Sequence, residues 1–193
     1  MRVDPGDFRK LDLRCHALLS DVPLHDVWAI PLPDGGPGRT MADFRALMSG
    51  DSGPPLNVAV RSLFALRWWL GRVFRWDDER HDPPAASYVH RLTEADRLQS
   101  QVPAGSRSGR FRVLYVLRNE AVSEIRNATV HGFMALALTP REQGYVVYVA
   151  VYVKAVSRLT ALYMSLIDPF RRFVVYPALG RHVQQAWLRT YSP

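Results

Sequence analysis

The sequence predicts an α+β domain in which a curved antiparallel sheet wraps around a long C-terminal helix, with two shorter helices nearer the N-terminus. Three observations carry this prediction. From residue 111 the apolar residues recur with period two through 111–119, 120–128, 129–138 and 145–154, as in successive strands. The links between these runs are short, which demands antiparallel neighbours. Beyond them, Leu159, Leu162, Tyr163, Leu166, Ile167, Phe170, Phe173 and Val174 recur at helical spacing, so 158–190 reads as one long helix.

The earlier elements follow in order. Residues 24–32 form a short β-prone run that Pro31 and Pro33 should end. A glycine-rich loop at 34–38 leads to Thr40, with Asp43 three residues later. This is a capping-box pattern with Asp in place of Glu, and it predicts a helix to about Met48. Pro54 and Pro55 suit the first turn of a second helix over about 55–76. A strand near 86–92 and a short helix starting near Thr93 come next, then a loop at 103–110. REQG at 141–144 reads as a hairpin turn. The run 145–154 is apolar on both sides, so something must cover its second face. That cover is either the chain itself or a second copy in a homodimer. In the terminal helix, Pro169 and Pro177 should bend or break the path, and Asp168 can pair with Arg171 or Arg172.

Composition bounds the function. The 193 residues, 48% hydrophobic and 22% charged, suit one globular domain spanning 1–193. Cys15 is the only cysteine, which excludes an intrachain disulfide and a cysteine-based zinc site. The six histidines lack metal-site spacing, and nothing calls for a cofactor. Charged residues interrupt 1–20 and also 56–76, so neither a signal peptide nor membrane insertion is expected, and a cytoplasmic location is the simplest reading. The net charge is +7, and Lys10 and Lys154 are the only lysines among 25 basic residues. The arginines are spread along the chain without a basic block, so no specific nucleic-acid partner is expected. A Gly-x-Ser-x-Gly elbow and a P-loop are both absent.

Three sets of residues are candidates for a site. Arg67 falls in the middle of the apolar stripe of the 55–76 helix. A guanidinium cannot shed its charge there, so an anion should meet it. That anion is either Glu120 or Glu124 within the chain, or a ligand carboxylate or phosphate. Asn127, Thr129 and His131 alternate onto one sheet face, followed by Phe133. They can line a cavity as amide, hydroxyl and imidazole, or form a polar strip facing solvent. In an enzyme, His131 or Glu124 would serve as the base. Tyr145, Tyr148, Tyr152 and Tyr163 can place hydroxyls at a cavity wall or simply pack the sheet. Of these tyrosines, Tyr148 and Tyr163 are the candidates for ligand contact.

The element order resembles the helix-grip fold of the START and birch-pollen-allergen (SRPBCC) superfamily. The strings RCHALL (14–19), HDVW (25–28), FALRWWLG (64–71), EIRNATVHGF (124–133) and LYMSLIDPFRRFVVYP (162–177) are similar to a bacterial branch, the domain of unknown function 2867 family. The C-terminal string is the most specific. The superfamily resemblance implies binding of a small amphipathic or aromatic molecule in a cavity between sheet and C-terminal helix. In some branches it implies cyclase, isomerase or hydrolase chemistry. A homodimeric interaction module is the remaining reading.

Overall fold

A computed structural model describes residues 1–49, 87–126, 130–155, 164–165, 168–169 and 171–192. Six strands form one antiparallel sheet in the order β1-β6-β5-β4-β3-β2. They are β1 Leu24–Pro33, β2 Arg107–Ser108, β3 Phe111–Val116, β4 Glu120–Arg126, β5 Val130–Arg141 and β6 Gly144–Ala155. The helices are α1 Pro5–Arg9, α2 Arg14–Leu18, α3 Met41–Ser49, α4 Glu94–Gln99 and α5 Tyr176–Tyr191. The expected 55–76 helix lies outside the described residues.

The four period-two runs are the strands β3 to β6, and Arg141 pairs with Gly144 across the expected hairpin. Gly144 has φ +118°, and a Cβ there would stand 2.3 Å from the Leu32 carbonyl oxygen. Only glycine fits that turn. Strand β1 runs through both prolines that were expected to end it. It is an edge strand whose pairing partner is β6. The carbonyls of Pro31 and Pro33 point outward, to Gln184 Nε2 (2.9 Å) and Trp187 Nε1 (3.0 Å). A strand residue's N and C=O point the same way, so the missing N–H groups are not on the ladder side. Farther up this edge, the Val3 amide donates to the Val27 carbonyl, and Met1 and Ala29 exchange hydrogen bonds.

The second face of β6 is covered by the chain itself. On one face Tyr148, Ala150 and Tyr152 pack with Phe133, Ala135, Val27 and Val122 under residues of α1, α2 and the segments 19–22 and 88–92. On the other, Tyr145, Val147 and Val149 pack with Ile30 and Leu32 under α3 and α5. The faces alternate along 145–152 as the sequence predicts.

The helices α1 and α2 were not foreseen, because five residues are too few to display a helical period. One signal was present. Asp4 caps α1 by accepting from the Gly6 amide (2.7 Å), and Pro5 opens it. The expected strand at 86–92 is instead a 3-10 turn, Tyr88–Arg91, capped by Ser87 Oγ. The β-prone composition of that segment is overridden by bonds to β4 described below. The predicted Thr40–Asp43 capping box is present, with reciprocal bonds of 2.8 and 3.3 Å, and the helix expected near Thr93 begins with one as well, formed with Asp96.

At the C-terminal end, a π-helical turn at Arg171–Val175 precedes α5, whose first turn holds Pro177. In a helix's first turn the missing amide donor of a proline costs least. Trp187 of α5 is fully buried and bonded to Pro33, with Tyr145 and Tyr191 against its edges. Gly35 approaches it so closely that a Cβ would sit 2.5 Å from the ring. Trp187→Ala is expected to lower the free energy of unfolding by about 3–5 kcal/mol, measured by urea denaturation.

Candidate functional site

Strand β4 carries two glutamates on the face covered by the N-terminal layer. Both are buried. Glu120 accepts from the Arg14 and Cys15 amides (2.6 and 3.2 Å) and from the Tyr115 hydroxyl (3.2 Å). Those amides open α2, whose N-cap residue Leu13 has no side chain able to bond them. Glu124 accepts from the Tyr88 amide (3.0 Å), which opens the 3-10 turn, and from Ser87 Oγ. It is also bonded to His131 Nε2 at 3.1 Å. Each carboxylate thus caps a helical turn laid across the sheet.

Their acidities move in opposite directions. Burial raises the pKa of Glu120 above the ordinary carboxylate range despite its donors. Burial pushes the pKa of Glu124 up too, but bonds from His131, Ser87 and the Tyr88 amide outweigh it and bring the pKa below the usual value. The donors around Glu124 therefore favour its ionised form.

The Glu124–His131 pair stands at a recess of about 160 Å³ lined also by Ser87, Arg107, Arg110, Phe111, Arg112, Ile125 and Arg126. Register explains the convergence. Arg107 lies opposite Arg112, Arg112 opposite Glu124, and Arg126 opposite His131. Directly opposed residues share a face, so one end of the sheet gathers arginines scattered in sequence. The Tyr88 ring stands edge-on to His131 at 5.3 Å and lies 4.6 Å from Phe133. Lys154, opposite His131, bonds to the Tyr88 hydroxyl (3.0 Å).

Of the predicted site residues, Glu124 and His131 meet at this recess. Arg67, Asn127, Thr129 and Tyr163 lie outside the described residues. Tyr148 is on the same face but elsewhere, where its hydroxyl accepts from Arg141 (2.8 Å). Tyr145 bonds the Gly36 carbonyl and the Arg39 amide, and so fastens the 34–39 loop. Sequence reasoning missed Ser87 and the four arginines. The closeness of Arg107, Arg110 and Arg112 was the available signal, but their meeting with Arg126 needed the strand register.

Two other clusters do not make a site. Cys15 Sγ lies 3.9 Å from His16 Nδ1, but burial, reinforced by the charge of Glu120, raises the thiol pKa far from the reactive range. His25, Asp26 and Asp168 bring ligand atoms within 4.8 Å of one another. Arg171 already sits among them, however. It bonds both Asp26 oxygens (3.0 and 3.2 Å) and Asp168 (3.3 Å), the latter as sequence spacing predicts. With Trp28 stacked on Tyr176 at 4.5 Å, this cluster clamps the start of α5 to β1.

The pKa of Glu124 generates a prediction. A carboxylate with a depressed folded-state pKa contributes stability that is complete above its unfolded pKa and disappears as pH falls through the folded value. Glu124→Gln is therefore expected to cost about 1.5–3 kcal/mol at pH 7. The cost should shrink on acidification, as read from urea unfolding of both proteins between pH 7 and pH 3.

No helix among the described residues is long and apolar enough to cross a membrane. No curated protein and no solved structure matches the chain. The family model described as protein of unknown function (DUF2867) matches residues 18–178. That span includes all of β1 to β6, the 3-10 turn and the Glu124–His131 recess, and the chain belongs to this family.

Proposed function

We propose that this protein binds a small amphipathic anion in the recess beside Glu124 and His131. The carrying observation is that four arginines line one recess together with Glu124 and His131, beside Phe111 and Ile125. The arginines, each already holding an interaction within the chain, would extend to an anionic head group, and Phe111 and Ile125 would accept an organic tail at about 25 cal/mol per Å² of area buried. Element order, with β1 ahead of α3 and a terminal helix behind the antiparallel run, is consistent with the helix-grip reading, a superfamily that binds such molecules. The recess differs from the expected cavity in its place. It lies on the face covered by the N-terminal layer, whereas α5 packs on the other face through Val183 and Trp187.

A second reading has its own support. Glu124 holds one ring nitrogen of His131 beside the same recess, an arrangement that orients an imidazole as a general base. In that reading His131→Ala abolishes turnover of a bound ester while leaving ligand-induced stabilisation in place.

The binding reading is tested by thermal unfolding with phenyl phosphate or benzoate as probe. At a hundredfold excess over Kd, stabilisation of about 2.7 kcal/mol is expected. It should weaken with added salt and vanish in the double variant Arg112→Gln, Arg126→Gln. Unchanged unfolding of the wild-type protein with either probe rejects the reading.

A further inference from the structure

Resting on the general-base reading above, we infer that His131 presents Nδ1 as its basic atom, that Glu124 and Ser87 are positioning residues, and that the nucleophile at this recess is a water molecule.

The order of the hydrogen bonds assigns these roles. Glu124 Oε2 receives the Tyr88 amide at 3.0 Å and stands 3.1 Å from His131 Nε2. Glu124 Oε1 receives the Ser87 hydroxyl. The donors around Glu124 favour its ionised form, and an ionised carboxylate can only accept. The proton of the Glu124–His131 bond therefore belongs to Nε2. In a neutral imidazole the other nitrogen then carries the lone pair. His131 lines the recess, so the base it offers there is Nδ1. Ser87, Glu124 and His131 are all buried, and bulk water competes little for the bonds that join them.

Ser87 is committed to this scaffold. Its Oγ accepts from the Val89 amide (3.3 Å) and donates to Glu124, so its proton lies toward the carboxylate and not toward the imidazole. In a serine-nucleophile triad the histidine stands between the hydroxyl and the acid. Here the acid stands between the hydroxyl and the histidine. Ser87 thus caps the 3-10 turn and holds Glu124, and Glu124 in turn fixes the ring of His131.

The step this order supports is hydrolysis of a carboxylic ester. Nδ1 takes one proton of the water as the water oxygen bonds to the carbonyl carbon. As the bond from that carbon to the alcohol oxygen breaks, the proton passes from Nδ1 to the leaving alkoxide. Ester and water are consumed, acid and alcohol are formed, and no acyl group becomes attached to the chain.

Two measurements on the full chain test this. Long-range nitrogen–proton correlation spectra are expected to show Nε2 protonated and Nδ1 bearing the lone pair in the neutral His131 ring. The ring is assigned through bonds from its own backbone, so no variant is needed. A lone pair on Nε2, comparable amounts of both tautomers, or a ring doubly protonated throughout pH 6–9 overturns the assignment. In Glu124→Gln, whose amide both donates and accepts, the single tautomer should give way to a mixture. Survival of the wild-type signature in that variant overturns the positioning role. The second measurement is p-nitrophenyl acetate hydrolysis, expected to fall about a hundredfold or more in His131→Gln. A fluorophosphonate that labels serine nucleophiles should leave the wild type unmodified. Hydrolysis that persists in His131→Gln overturns the role of Nδ1, and a phosphonylated Ser87 in peptide mass spectra overturns the water step. Absence of hydrolysis by the wild type, with the expected spectra, overturns the general-base reading and the water step together and leaves the tautomer assignment standing.

Discussion

The covering of the sheet depends on two carboxylates of a single strand. Helical turns laid across a sheet leave their first amides without partners, and a buried amide without a partner is costly. In α2 the N-cap is Leu13, which cannot supply an acceptor, so Glu120 reaches up from β4 to do so. Two pleat repeats farther along the strand, Glu124 serves the Tyr88–Arg91 turn in the same manner. The strand thus carries the acceptors that its covering layer lacks. The requirement arises because β6 and its neighbours are apolar on both faces and must be enclosed on both.

The two faces are secured by different means. Beneath α5 the contacts are large aromatic surfaces, led by Trp187 and the Trp28–Tyr176 stack, and Arg171 bridges the Asp26 and Asp168 carboxylates there. Beneath the N-terminal layer the buried groups are more polar, and Glu120, Glu124 and His131 all lie on that side. Polar chemistry therefore collects at the end of the sheet where β2, β3 and β4 bring their arginines. The same carboxylate that caps the 3-10 turn holds His131, which ties the architecture of the covering layer to the chemistry of the recess.

Much of the fold was legible. Period two located β3 to β6, Thr40 and Asp43 marked the start of α3, and the two-sided apolar character of 145–154 announced a covered second face. Elements decided by long-range contacts were not legible. The segment 86–92 has the composition of a strand, but its first amide is claimed by Glu124, 36 residues away, and it turns instead. Pro31 and Pro33 look like terminators until β1 is known to be an edge with its outward carbonyls bonded to α5.

The site follows the same division. Residue types and their alternation, which are local properties, were enough to single out Glu124 and His131 and to place His131 and Phe133 on one face. The partners that surround them were beyond that reach. Arg107, Arg110 and Arg112 are neighbours in sequence, but only hydrogen-bonded register sets 107 opposite 112, 112 opposite 124, and 126 opposite 131. Periodicity is written in each strand separately because it reflects burial of that strand's own side chains. Convergence of charges depends on how strands are paired, which is a property of the assembled sheet.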